Sequence, residues 1–198
     1  AESESERNQA VEDHKKWVDA AKYLGCHAIR LNLIGAADRD VWKTSAIDGL
    51  KKLAEYGATQ DIEVVVENHG GYSSDAALVM EVINAIDMEN CGTLPDFGNF
   101  CLERENGQMW GAPCVKEYDK YKGIEEMMPK ALAVSAKTYD FNEAGEETSM
   151  DFNRILQTVK DAGYTGFIGV EYEGENHTPE EGIMLTKELL INTAQNLK

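Results

Sequence analysis

Basic residues are scarce in this 198-residue chain, which has 19 lysines and arginines against 36 aspartates and glutamates and a formal net charge of −17. Nucleic acids and anionic membrane surfaces are bound chiefly through positive charge, so this balance argues against both as partners. Long apolar runs are missing too, since none approaches the roughly 18–20 residues that a membrane-spanning helix needs. Residues 1–16 contain neither a basic flank nor an apolar segment, so they do not have the pattern of a signal peptide.

Cysteine and histidine are also rare, with four residues of each. The sequence contains no CxxC pair and no histidine partner at zinc-finger spacing. Cys26 and Cys91 begin predicted buried strands, where a thiol packs as a small apolar group. Cys101 and Cys114 bracket a loop and could bridge, but we expect two reduced thiols. Cysteine usage therefore favours a reducing compartment and a cytoplasmic location.

What the chain does contain is a steady alternation of strand-like and helix-like segments without a break in composition. Apolar runs predict five strands, at 27–35, 62–68, 91–96, 132–137 and 166–173. Helical or amphipathic patterns occupy 5–25, 41–60, 74–86, 115–131, 150–163 and 178–197, and an irregular stretch is expected at 101–115. Apolar strands separated by single helices are typical of a parallel sheet covered on both faces. The sequence therefore predicts a single α/β domain over residues 1–198.

Carboxylates stand at the ends of three of these predicted strands. Glu67 follows three valines in VVVENHGG, Asp96 lies in GTLPDFGNF, and Glu171 lies in GFIGVEYEG. Three acidic groups that converge at close range repel one another unless a cation lies among them. We therefore predict that they bind one divalent metal ion, with no two of the carboxylates more than about 10 Å apart, given metal–oxygen distances near 2.0–2.6 Å.

Five motifs in this order, one βα unit apart, resemble the sugar phosphate isomerase/epimerase family of xylose isomerase-like (β/α)8 barrels: LGCHAIRLN, VVVENHGG, PDFGNF, AVSAKTYDF and GVEYEG. The resemblance implies a TIM barrel that binds Mn²⁺, Mg²⁺ or Zn²⁺ through Glu, Asp, His and Glu from four successive strands. It also implies isomerisation or epimerisation of a sugar or sugar phosphate by proton transfer through an enediolate. By position, Glu67, Asp96 and Glu171 are the metal ligands, and Glu67 and Glu171 are also the catalytic acid–base pair.

The sequence departs from the family pattern in two ways. Ser135 stands where the family has its histidine ligand, so His69, Asp140 or water would complete the coordination. Strand 27–34 resembles the fourth strand of the barrel, which predicts a partial TIM barrel of about five strands without its N-terminal βα units. Because both edge strands would lack neighbours, we expect a homo-oligomer or completion by a missing N-terminal segment.

Several polar residues near the strand ends are predicted to bind the sugar. These are His69, Asn99, Lys137 and Arg30, with Trp110 among the aromatic residues proposed for an apolar wall.

Other interpretations of the site residues stay open. Glu67 could serve a cap or a salt bridge instead, Asp96 could initiate a turn, and Lys137 could pair with a neighbouring carboxylate. Glu171 and Glu173 are expected to face opposite sides of their strand, and the resemblance selects Glu171 as the inward one.

Two other functions compete with the isomerase or epimerase. A catalytically lapsed, sugar-binding barrel is favoured by the serine at position 135. A metal hydrolase resembling abasic-site endonucleases needs several clustered histidines and a basic groove, which four scattered histidines and the charge of −17 do not supply.

Overall fold

The computed structural model describes residues 1–197 and contains alternating helices and parallel strands. The helices are α1 (Glu4–Leu24), α2 (Arg39–Gln60), α3 (Ala76–Ile86), α4 (Lys120–Met127), α5 (Phe152–Asp161) and α6 (Pro179–Gln195). The parallel strands are β1 (Ala28–Asn32), β2 (Glu63–Glu67), β3 (Cys91–Leu94), β6 (Val134–Thr138) and β7 (Ile168–Tyr172). Two further strands, β4 (Cys101–Arg104) and β5 (Cys114–Glu117), form an antiparallel hairpin.

The five parallel strands follow one another in the order β1-β2-β3-β6-β7. Strand β2 pairs with β1 on one side and β3 on the other, and β6 pairs with β7. Isolated parallel bridges, Thr93 with Ala131 and Asp96 with Ser135, connect β3 to the β6 segment. Within residues 1–197 the sheet does not close, so the predicted partial TIM barrel of five parallel strands is confirmed.

The apolar core lies on both faces of strand β2. Val64, Val65 and Val66 of β2 are all buried, as expected for a strand covered by helices on one side and by barrel interior on the other. Helix α1 contributes Val11 and Val18 to this core. Trp17 of the same helix is 59% exposed, because it lies about 100° around the helix from Val18.

The region between β3 and α4 differs from the prediction. Residues 101–115 were expected to be irregular, yet they contain β4 and most of the hairpin that it forms with β5. Cys101 and Cys114 are joined by a disulfide across this hairpin, so the expectation of two reduced thiols is wrong. A two-stranded hairpin is marginal in water by itself, and a covalent link between its strands removes much of the freedom that opposes it. Cys26 is exposed rather than buried.

The helix ends agree with simple capping rules. Thr178 and Glu181 form a capping box at the start of α6, with Pro179 in its first turn. Asp75 caps α3, so the hydroxyls of Ser73 and Ser74 are left for other partners. None of the helices described here is long and apolar enough to cross a membrane.

Candidate metal centre and substrate site

Three acidic side chains meet at the C-terminal end of the parallel strands. Glu67 is the last residue of β2, Asp96 follows β3, and Glu171 lies near the end of β7. Each offers one carboxylate oxygen, and these three atoms all lie within 4.8 Å of one another. Glu67 and Asp96 are buried, whereas Glu171 is half-buried. The structure thus brings the three predicted ligands together at far less than 10 Å.

Asp96 combines the two roles that the sequence left open. Its Oδ1 accepts hydrogen bonds from the backbone N–H groups of Gly98, at 3.0 Å, and Asn99, at 2.9 Å, which is ordinary turn chemistry. Its Oδ2 is buried and has no hydrogen-bond partner among the described residues. Burial raises the pKa of Asp96 to about 7, although the nearby Lys137 ammonium acts in the opposite direction. A buried carboxylate oxygen without a partner, beside two other carboxylates, fits a divalent cation.

Glu67 is paired with an arginine from the neighbouring strand. The Arg30 guanidinium of β1 contacts Glu67 Oε2. The Asn32 amide, oriented by its hydrogen-bond partners, donates to the same oxygen at 2.9 Å. The Arg30 side chain is 51% exposed while that of Glu67 is buried, so the pair extends from the acidic cluster to solvent. Arg30, predicted to bind substrate, therefore also offsets the charge of a predicted metal ligand.

Lys137 is buried, with 1% of its surface exposed, between two glutamates. Its Nζ lies 3.3 Å from Glu171 Oε1 and 2.9 Å from Glu173 Oε2. Our expectation that Glu171 and Glu173 face opposite sides is wrong, because residues two apart along a strand point to the same side. Burial opposes the charge of Lys137, but Asp96 and the two glutamates raise its pKa above the ordinary value. Its pairing with carboxylates, left open by the sequence, is the arrangement in the structure.

Ser135 lies beside the acidic cluster, as its place in the sequence suggested. Its hydroxyl donates to Glu171 Oε2 at 3.1 Å, and its backbone bridges to Asp96. Burial acts to raise the pKa of Glu171, but the Lys137 ammonium and the Ser135 hydroxyl outweigh it, and the pKa of Glu171 is lowered. A hydrogen-bonding serine thus occupies a position between two predicted ligands, Asp96 and Glu171.

Asp140, one of the groups suggested to complete the coordination, is engaged in a loop. Its Oδ1 accepts hydrogen bonds from the backbone of Glu175, at 3.1 Å, and Asn176, at 3.0 Å. His69, the other protein candidate, does not belong to the group of close ligand atoms. Among the described residues, neither of these two protein candidates for a fourth ligand lies with the three close carboxylate oxygens.

A network that the sequence did not single out joins the loops after β2 and β3. The Asn68 amide donates to the carbonyl oxygens of Asp96, at 2.9 Å, and Asn99, at 3.0 Å, and its Oδ1 accepts from the Asp96 N–H at 2.7 Å. Ser74 Oγ accepts from the Gly70 N–H at 2.7 Å and donates to the Asn99 carbonyl at 2.7 Å. The position of Asn68 directly after Glu67, at the end of a buried strand, was the signal available in the sequence.

This network leaves two side-chain atoms without partners. His69 Nδ1 and Asn99 Nδ2 are both buried and make no hydrogen bond within residues 1–197. Buried polar atoms are normally satisfied, so these two are candidates for contact with a polar ligand. Both residues were predicted to bind substrate.

Nearly the whole length of the chain also matches a known family. Residues 1–192 match the family described as xylose isomerase-like TIM barrel. The chain therefore belongs to the xylose isomerase-like TIM barrel family. The sugar phosphate isomerase/epimerase relationship inferred from the five motifs agrees with this match.

Curated relatives match only part of the chain. The C-glycoside deglycosidase alpha subunit of Arthrobacter globiformis is 41% identical over 49 residues, which cover 25% of this chain and 14% of the relative. The 3'-dehydrocarminate deglycosidase alpha subunit of a Microbacterium species is 44% identical over 48 residues, which cover 24% of this chain and 14% of the relative. These matches thus represent about one seventh of each relative's length.

Solved structures resemble the chain over nearly all of its length at low identity. An IOLI protein with a bound zinc atom has a TM-score of 0.70 and 15% identity, covering 99% of this chain and 73% of its own. A sugar phosphate isomerase/epimerase from Parabacteroides distasonis has a TM-score of 0.71 and 15% identity, and the match covers 99% of this chain and 67% of that chain. The 3-keto-D-glucoside 4-epimerase YcjR from E. coli has a TM-score of 0.70 and 13% identity, and the match covers 92% of this chain and 70% of that chain. At these identities the likeness establishes the fold.

Proposed function

We propose that this protein is a metal-dependent isomerase or epimerase that moves a proton at the carbon next to the carbonyl of a sugar or sugar phosphate. The observation that carries the proposal is the cluster of Glu67, Asp96 and Glu171, with ligand oxygens within 4.8 Å of one another and an unpartnered Asp96 Oδ2. Such a cluster suits a hard or borderline divalent ion, Mn²⁺, Mg²⁺ or Zn²⁺. Zinc in the IOLI protein of the same fold supports this choice.

The metal ligands would be Glu67, Asp96 and Glu171. When bound, the ion would supply positive charge that stabilises the oxyanion developing on the substrate. Glu67 and Glu171 belong to β2 and β7, on two sides of the cluster, and are proposed to remove and return the proton through an enediolate. Burial acts to raise the pKa of Glu171, but the Lys137 ammonium outweighs it and lowers this pKa, which favours the ionised carboxylate that a base requires.

Four groups are proposed to bind the sugar. His69 Nδ1 and Asn99 Nδ2 have unused hydrogen-bonding capacity for hydroxyl groups. Arg30 is half-exposed at the edge of the cluster and can reach a substrate oxygen while it contacts Glu67. Lys137 is enclosed by two carboxylates, so its proposed contact with substrate would be with an oxygen that enters the cluster itself.

A second candidate reaction shares the first step. Removal of a proton next to a carbonyl can be followed by return of the proton, which gives an epimer, or by expulsion of a group, which gives elimination. The names of the two curated relatives, both deglycosidases, favour the elimination as an alternative. The words 3'-dehydro and 3-keto in two of the names support a keto sugar as substrate for either reaction.

Hydrogen exchange tests the proposal whichever product the reaction forms. Wild-type protein with Mn²⁺ is incubated in D₂O with methyl 3-keto-D-glucoside, L-ribulose and D-tagatose, and deuterium incorporation is followed by NMR. We expect incorporation next to the carbonyl of at least one sugar, and its loss in Glu67→Gln with the fold intact. Glu63→Gln, at the opposite end of the same strand, is the matched control and should exchange normally. Unchanged exchange in Glu67→Gln would remove this residue from the mechanism.

Metal analysis separates the enzyme from a lapsed, sugar-binding barrel. About one tightly held divalent ion per chain supports the enzyme, whereas a purified protein that binds none on titration favours the lapsed barrel. The abasic-site hydrolase is not supported by the cluster, which contains no histidine among its three ligands.

We also propose that the two edge strands are covered in the working protein, by a second copy or by an N-terminal segment. In residues 1–197, β1 is hydrogen-bonded only to β2, and β7 only to β6. The walls that three further βα units would add are then missing from the isolated chain, so its activity alone is expected to be low. The cytoplasmic location stays a prediction, and the Cys101–Cys114 disulfide argues against it, since disulfides persist mainly in oxidising compartments.

A further inference from the structure

The hairpin of β4 and β5 is a separately braced arm on the barrel. Its strands are joined by the Cys101–Cys114 disulfide and by the Lys116–Glu103 ion pair at 2.7 Å. The Arg104 guanidinium donates to the Ala112 carbonyl at 2.7 Å and closes the base of the connecting loop. Both ends of the loop of residues 105–113 are therefore fixed, although all of its residues except Ala112 are exposed.

One aromatic side chain of this loop, Trp110, contacts the loop that follows β2. The Trp110 ring contacts the His69 ring, with 4.7 Å between centroids and the two planes tilted by 60°, and its edge approaches Gly70. A Cβ at Gly70 would lie 3.5 Å from the Trp110 ring, an ordinary van der Waals distance, so the ring packs closely against the backbone at this position. Gly70 also has a φ of +89°, which favours glycine. Trp110 keeps 45% of its surface exposed, so part of the ring is available to a ligand.

Two residues near this hairpin in the sequence or in space, His69 and Asn99, each have a side-chain nitrogen without a hydrogen-bond partner among the described residues. His69 follows the metal ligand Glu67 by two positions, and Asn99 follows Asp96 by three. Their loops are joined through Asn68, and each contains a buried side-chain nitrogen without a partner. The half-exposed Trp110 ring contacts His69, and the loop of His69 is joined to that of Asn99. Together they suit a sugar, whose C–H groups can pack on the aromatic ring and whose hydroxyls can bond to the two unpartnered nitrogens.

The charge of the arm bears on the kind of sugar. Residues 105–113, ENGQMWGAP, contain one acidic residue and no lysine or arginine. The two basic residues at the root, Arg104 and Lys116, are engaged with Ala112 and Glu103. Phosphate groups are bound mainly by positive charge or by clustered N–H donors, so this side of the site does not favour a phosphorylated substituent.

We propose that residues 101–117 form a substrate-binding arm in which Trp110 provides the face for an uncharged sugar ring and the Cys101–Cys114 disulfide holds it against His69. The proposal rests on the proposed function in taking a sugar as the ligand, and it names an unphosphorylated glycoside as the class. Trp110 and the disulfide act on binding, not on the proton transfer.

Calorimetric titration of the Mn²⁺-loaded protein with methyl 3-keto-D-glucoside and with D-fructose 6-phosphate tests this. We expect tighter binding of the glycoside, a Kd weaker by about tenfold in Trp110→Ala, and near-normal binding in Trp110→Phe, which keeps an aromatic face. The Cys101→Ser/Cys114→Ser double variant should lose a similar factor. Met109→Ala, an exposed neighbour in the same loop, and Trp17→Ala, an exposed tryptophan on α1, are controls that should change binding less than twofold.

A readout without ligand checks the arm separately. The His69 ring protons should show a ring-current shift in the NMR spectrum that disappears in Trp110→Ala and weakens in the double serine variant. A full shift in the double variant, unchanged glycoside affinity in Trp110→Ala, or no glycoside binding by the wild type would each overturn the proposal. Glycoside binding that depends on Trp110 but is accompanied by no deuterium exchange would support the arm and refute the proposed reaction.

Discussion

Replacing Asp96 by asparagine should make the metal-free protein more stable while weakening its binding of metal. The Asp96 side chain is fully buried, and only Oδ1 makes hydrogen bonds, both accepted from backbone N–H groups. Asparagine keeps this oxygen and these two bonds. Its Nδ2 replaces the unpartnered Oδ2 and puts a hydrogen-bond donor, in place of a charge, beside Glu67 and Glu171.

The size of the effect follows from the pKa of Asp96. Burial raises this pKa from 3.8 to about 7, a change of about three units, so keeping Asp96 ionised in the fold costs roughly 4 kcal/mol. Because the folded pKa is raised, the folded state binds more protons than the unfolded chain between pH 4 and 7. The unfolding free energy of the wild type therefore falls as the pH rises through this window. Asp96→Asn lacks this cost, so the variant's advantage should be small at pH 4 and reach roughly 4 kcal/mol above pH 7.

Urea unfolding followed by circular dichroism, in excess chelator at pH 4 and pH 8, measures this difference. Mn²⁺ at a hundred times its Kd should then stabilise the wild type by about 2.7 kcal/mol and the variant much less. Asp140→Asn is the matched control, because Asp140 lies outside the cluster and accepts hydrogen bonds from the loop backbone. An Asp96→Asn protein that is less stable than the wild type at pH 8 in chelator would refute the reasoning from burial, and equal stabilisation of both proteins by Mn²⁺ would refute the metal assignment.

Three other measurements probe the site and its surroundings. Ser135→His should raise metal affinity in a calorimetric titration by supplying an imidazole beside Glu171, and equal or weaker binding would mean that this position does not face the ion. A thiol reagent should label Cys26 in the native protein and leave Cys91 unmodified, because burial raises the pKa of Cys91 to about 12. Mass spectrometry locates the label, and a labelled Cys91 would contradict this prediction. Sedimentation should reveal self-association through the edge strands β1 and β7, whereas a monomer of 22.0 kDa with cooperative unfolding would show that five strands suffice.

Much of the fold was predictable because it depends on short-range patterns. The valines before Glu67 mark a buried strand, and the apolar run before Glu171 marks a strand that is partly exposed at the edge of the sheet. The helices between the strands require parallel pairing. The closing helix could be placed from Thr178 and Pro179 alone, since capping involves residues only a few positions apart. The ends of parallel strands lie on one edge, so the approach of the three carboxylates follows from the same pattern.

Contacts between distant segments were not predictable in the same way. Whether Cys101 and Cys114 bridge depends on the hairpin bringing them together, with 5.8 Å between their Cα atoms. The pairing of Lys137 with Glu173 was missed because Glu173 was expected on the opposite side of the strand from Glu171. Side chains two positions apart along a strand point to the same side. Asn68 was overlooked because its partners belong to a different loop, about thirty positions away.

The sequence by itself determined that this is a parallel α/β barrel segment with acidic strand ends. These properties depend on residue type and local spacing, which the chain fixes before it folds. The tertiary structure decided which atoms of the site are satisfied: Asp96 Oδ2 is left without a partner, Lys137 is enclosed by glutamates, and Trp110 is held against His69. Hydrogen bonding, burial and pKa depend on distances between groups far apart in the chain, and only the packing of the folded protein sets those distances.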